Sequence, residues 1–80
     1  MTYIVVYKYK EEQYKKTMTT YADPSFDIFL ICVAEAIIAS MHENSLHDVQ
    51  LVKCIKLYVI DAEGEKLFAE LDPKLVFHLI

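Results

Sequence analysis

The sequence predicts an α+β domain in which one main helix packs on a face of an antiparallel sheet, in the order ββαββ. Three observations carry that expectation. Residues 2–10 contain Tyr3, Ile4, Val5, Val6, Tyr7 and Tyr9, side chains that fit a pleated surface. Residues 26–41 repeat apolar side chains at helical spacing, and residues 49–60 are apolar at both parities of a strand.

In the first strand, Tyr3, Val5, Tyr7 and Tyr9 fall on one face by the two-residue period. Glu11, Glu12 and Gln13 make a polar break, and residues 14–21, with Thr17, Thr19 and Thr20, read as the returning strand of a hairpin. Asp23-Pro24 then predicts a helix start: Asp suits an N-cap, and Pro at the first helical position loses nothing by lacking an N–H. Asp27 suits the helix dipole in the first turns. The helix should run to His42 or Glu43, where Asn44 and Ser45 break the pattern.

Placed at about 100° intervals, Phe26, Leu30, Val33, Ile37 and Met41 form one stripe, assigned to the sheet. On the opposite side Glu35 and His42 lie two turns apart, flanked by Ile28, Ile31, Ile38 and Ala39. A helix buried on one side only should be polar on the other. This one is apolar nearly all round, so a second copy of the chain or another protein is the expected cover, and these six residues are the candidate self-association or partner interface.

Val49, Leu51, Ile55, Leu57 and Val59 alternate with Val52, Cys54, Tyr58 and Ile60, the pattern of a central strand covered on both sides. Asp61-Ala62-Glu63-Gly64 predicts a turn, with Gly able to take positive φ, and residues 65–71 return. Asp72-Pro73-Lys74 reads as a second turn with Pro at its first corner. Residues 65–71 and 75–80 fit strand and short-helix spacing equally, so a fifth strand or a short helix at the C-terminus both remain open. The apolar residues 75–80 are expected to dock.

Composition narrows the function. Eighty residues are expected to form a single domain, 1–80, at a size where one core is marginal and oligomerisation is a common remedy. Eight cations, all Lys, against twelve carboxylates give a net charge of −4. Phosphate recognition needs clustered cations, and the chain has no bidentate Arg fork, so nucleic acid is not the expected partner. The nearest candidate is a Tyr-Lys alternation: Tyr7, Lys8, Tyr9 and Lys10, with Tyr14, Lys15 and Lys16 opposite, is a secondary contact surface where rings and cations interleave. It makes residues 1–22 net +2, whereas residues 61–74 are net −3. Such polarity can set the register of self-association or steer a charged partner.

Catalytic and metal signatures are weak. Gly64 is the only glycine, which excludes a phosphate-cradling loop and a nucleophile elbow. His42 and His47 are five apart and do not share a helical face as an i, i+4 zinc pair does. Cys32 and Cys54 read as small core hydrophobes. Glu35 reads as a group that pairs across an interface. The expectation is no enzyme, no cofactor and no metal. The first residues lack a signal-peptide pattern, and the helix is too short and too interrupted by Glu35 to span a bilayer, so a cytoplasmic protein with no membrane contact is expected.

The function expected is therefore that of a homo-oligomeric protein-binding module, an inhibitor or adaptor acting on a larger protein. Many Lys, Ile and Tyr with no Arg and no Trp match an AT-rich genome, and a phage-encoded antagonist of a host protein fits the size. The alternative is an oligomer with a small-molecule site between subunits.

Overall fold

A computed structural model describes residues 1–20 and 25–78. Strands β1 (Thr2–Tyr9) and β2 (Glu12–Thr19) form a hairpin, followed by helix α1 (Phe26–Glu43) and a short 3-10 turn (Val49–Leu51). Strands β3 (Val52–Asp61) and β4 (Gly64–Leu71) and a short helix α2 (Pro73–Phe77) follow. The sheet is antiparallel throughout, in the order β2-β1-β3-β4, so the α+β class is as the sequence predicts. Because β2 and β3 are both antiparallel to β1, they run parallel to each other. Helix α1 is the crossover between them, which places it on one face of the sheet.

The first turn is tighter than the polar break suggested. Tyr9 pairs with Glu12, so only Lys10 and Glu11 form the loop and β2 begins two residues before Tyr14. Lys10 adopts φ 56°, the left-handed conformation that such short hairpins favour. Strand β2 ends at Thr19, and Tyr21, its predicted end, lies outside the described residues together with the predicted helix start at Asp23-Pro24. The N-cap of α1 is Ser25, whose Oγ accepts a hydrogen bond from the Ile28 N–H at 3.3 Å. At the other end Ser45 takes φ 57°, its N–H donates to the His42 carbonyl at 3.2 Å, and the Leu46 N–H donates to the Met41 carbonyl at 2.8 Å. These paired bonds make a Schellman closure at the predicted helix end.

Strand β3 departs from simple alternation. Val6 pairs with Lys56 but Lys8 pairs with Lys53, so Cys54 and Ile55 together oppose Tyr7 in a bulge, with Cys54 at φ 56°. One extra residue resets the facing of everything before it. Val52, expected opposite Ile55 and Leu57, is buried on the same face as both, whereas Cys54 turns out to solvent. Val49 and Leu51 are not in the strand but in the 3-10 turn that precedes it. A second irregularity lies in β4, where Leu57 pairs with Ala69 and Tyr58 with Leu67, leaving Phe68 as the extra residue.

Residues 64–71 are a strand, and the last apolar segment is helical through Phe77. Pro73 is its first helical residue rather than a turn corner, and Asp72 Oδ1 accepts from the Lys74 N–H at 2.9 Å. Val76 docks α2 into the core. Gly64, at φ 110°, has the positive φ expected of it.

The core lies between one sheet face and the helices. Tyr3, Val5, Tyr7 and Tyr9 of β1 share one face as predicted, and that face is buried, against Leu30, Val33, Ile37 and Met41 of α1 and Ile55 and Leu57 of β3. Phe26, also assigned inward, is instead 59% exposed at the first turn of α1. Phe29 takes the inward place, with its ring 5.3 Å from that of Tyr3 and 6.0 Å from that of Phe68 in edge-to-face contacts. The expected cover on both sides of β3 is not found in the single chain. Helix α1 packs over β2 and β1, α2 packs against β3, and no described element packs on the other sheet face.

Candidate functional site

The described residues leave two surfaces uncovered. The first is the outer stripe of α1. Eighteen residues of helix bring Ile28, Ile31, Glu35, Ile38, Ala39 and His42 to one side, all six exposed. Ile28, Ile31 and Ile38 are 54%, 43% and 42% exposed. Opposite them Phe29, Leu30, Val33, Ala34, Ala36, Ile37, Ser40 and Met41 are buried, so the core side is complete without the stripe. At its C-terminal end the stripe runs into a depression of about 260 Å³ lined by Ile38, Met41, His42, Leu46, His47 and Val49. His42 and His47, unable to share a helical face, meet there because the Schellman closure turns the chain back.

The second surface is the open sheet face. The pairing register stacks Gln13, Lys8 and Lys53 in one row, then Lys15, Val6, Lys56 and Glu70. The next rows are Thr17, Ile4, Tyr58 and Leu67, then Thr19, Thr2, Ile60 and Glu65. A shallow depression of about 340 Å³ lies at its centre, lined by Ile4, Val6 and Tyr58, by Lys8, Lys15 and Lys56, and by Gln13, Cys54 and Glu65.

This arrangement divides the predicted Tyr-Lys surface. Tyr7 and Tyr9 are buried on the helix side, and Tyr14 is half-buried and stacked on Tyr7 with ring centres 5.7 Å apart. Lys16 is also on that side, bonded to Glu43 at 2.6 Å. Lys10 is in the turn, and only Lys8 and Lys15 reach the open face. They are joined there by Lys53, Lys56 and Tyr58 from β3, which sequence inspection missed. The signal that unites them is the β1–β3 register, a long-range pairing that no local window contains.

Among the described residues one side-chain hydrogen bond is fully buried. The Tyr7 hydroxyl donates to Ser40 Oγ at 2.7 Å, and burial raises the Tyr7 phenol above its ordinary pKa of 10.0, opposed by that hydrogen bond. Among the described residues no group of three or more His, Cys, Asp and Glu is placed to hold a metal ion. Cys32 is half-buried and Cys54 exposed, both as free thiols. No helix among the described residues is long and apolar enough to cross a membrane. No protein-family model matches the chain, and no curated protein and no solved structure matches it either.

Proposed function

We propose that the chain is a non-catalytic protein-binding module that pairs with a second copy of itself through the outer stripe of α1 and acts, as an adaptor or inhibitor, by occupying a larger protein. The observation that carries this is the exposure of Ile28, Ile31 and Ile38 in one contiguous stripe around Glu35. A monomer seldom leaves an apolar patch of a few hundred Å² open, and such patches mark protein interfaces.

The stripe is complementary to itself. In an antiparallel pairing of two α1 helices about a twofold axis, Glu35 can face the partner's His42, and Ile38 the partner's Ala39. Ile31 then meets the partner's Leu46, at the depression that ends the stripe. The polar pair supplies register and the isoleucines supply buried area. A second arrangement, in which a small molecule occupies the depression between subunits, is favoured by the two imidazoles of His42 and His47 on its wall.

Sedimentation at micromolar concentration tests the pairing. A dimer is expected, weakened by Glu35→Lys or His42→Glu alone and recovered when both are combined, because the charges are exchanged across the axis. A wild-type protein that sediments as a monomer overturns the proposal. Native mass spectrometry distinguishes the alternative by a retained small molecule.

A further inference from the structure

We infer that the open sheet face is a second docking surface, and that its occupant is an acidic amphipathic segment of a partner protein. Lys8 and Lys53 are directly opposed across β1 and β3, and Lys15 and Lys56 flank Val6 in the adjacent row. Like charges set directly opposite in a sheet are unfavourable. The Lys8–Lys53 pair persists here, and the carboxylates of this face stand only toward β4, where Glu70 pairs with Lys56 and Glu65 lines the depression. Elsewhere Lys16 bonds to Glu43 at 2.6 Å and Lys66 to Glu63 at 2.6 Å, but among the described residues Lys8, Lys15 and Lys53 have no carboxylate in ion-pair reach, and Lys56 has Glu70 only at 3.9 Å. A chain of net charge −4 therefore gathers half of its eight lysines on one end of one face.

Beside the lysines, Ile4, Val6 and Tyr58 line the depression of about 340 Å³, and Ile60 and Leu67 extend the apolar area toward β4. The surface thus asks for carboxylates on one side of its ligand and aliphatic side chains on the other. Single-stranded nucleic acid meets it less well. Strand-binding proteins stack successive bases on several rings, and Tyr58 is the single aromatic side chain that the register places on this face. The aliphatic lining offers a base nothing comparable, and Lys contributes a point charge without the bidentate fork of Arg.

The inference rests on the reading of the chain as a protein-binding module only in taking the partner to be protein, because the face is separate from the α1 stripe. The probe is a fluorescein-labelled helical peptide of Leu, Ala and Glu, with its Leu on one side and its Glu on the other, titrated into the full ¹⁵N-labelled chain. Binding is expected to shift the amides around Val6, Lys8, Lys56 and Tyr58, and to slow maleimide modification of Cys54, which lines the same depression. Lys8→Ser combined with Lys53→Ser is expected to weaken the peptide by about tenfold or more, with a shallower salt dependence. The double variant should melt no lower than the wild type and sediment identically, which separates failure of this inference from failure of the α1 pairing. Three results overturn it: no shift on this face, tighter binding of an oligothymidylate through the same lysines, or protection of Cys54 by protein concentration alone, which assigns the face to a second copy.

Discussion

Tyr7 of β1 and Ser40 of α1 meet at 2.7 Å, hydroxyl to hydroxyl, in the interior where sheet and helix are packed together. The contact fixes the rotation of α1 about its own axis. With Ser40 turned to Tyr7, Ile38 and Ala39 must face outward. Removing either partner leaves the other buried and short of a hydrogen bond, at a cost of about 1–3 kcal/mol. Ser40→Ala is expected to cost more than Tyr7→Phe, because the serine left behind can bond to its own helix backbone while the stranded phenol cannot. The double variant should be more stable than the sum of the two predicts, and additivity in urea denaturation contradicts the coupling.

Alkaline stability should carry the signature of the same tyrosine. The folded-state pKa of Tyr7 lies above the unfolded value of 10.0, mainly through burial. The folded protein then keeps a proton that the unfolded chain loses, so this stabilisation is complete below pH 10.0 and falls as pH rises from there through the folded pKa. Comparing denaturation at neutral pH and at about pH 11, Tyr7→Phe should lose less stability than the wild type. Equal losses contradict the assignment.

Substitutions on the two sides of α1 should separate fold from association. Leu30→Ala and Ile37→Ala truncate buried side chains and are expected to cost about 2–5 kcal/mol in chemical denaturation. Ile31→Glu and Ile38→Glu place a carboxylate on a side the core does not use. These should remain folded by circular dichroism and sediment as monomers. If both classes unfold alike, the outer stripe is part of the core.

Ser45 occupies the left-handed position of the Schellman closure with φ 57°. A side chain there is strained where glycine is not, so Ser45→Gly is expected to raise stability by about 0.5–1 kcal/mol despite the added freedom of the unfolded chain. A loss in thermal melts would mean that the Ser45 side chain contributes more than its backbone costs.

Treatment with a chelator is expected to leave the melting temperature unchanged, since no described cluster of three or more ligands is placed for a metal ion. Stoichiometric zinc in the purified protein, with unfolding on its removal, would instead show that His42 and His47 recruit ligands across an interface.

What was legible in the sequence was local. The period of β1 separates Tyr3, Val5, Tyr7 and Tyr9 from Ile4, Val6 and Lys8, and the period of α1 separates Leu30, Val33 and Ile37 from Ile31, Glu35 and Ile38. Both separations are set by geometry within a single element. Phe26 is misplaced because α1 begins to pack on the sheet only at Phe29, and apolar character cannot report where packing starts. Val52 was misplaced because the Cys54 bulge interrupts a two-residue period with no glycine to announce it. The lysine group on the open face is a product of register between β1 and β3, and neither strand alone contains it.

The placement of β1 inside the sheet has a consequence during synthesis. Its first hydrogen-bonding edge is satisfied at once by β2, but its second has no mate until residues 52–61 have been made and have left the ribosome. Through that interval a strand rich in Tyr, Ile and Val presents unpaired backbone groups to whatever is nearby, the condition under which nascent chains join edge to edge. Closing that edge is a long-range event with a high contact order, and it is expected to set the pace of folding more than the hairpin or the helix does.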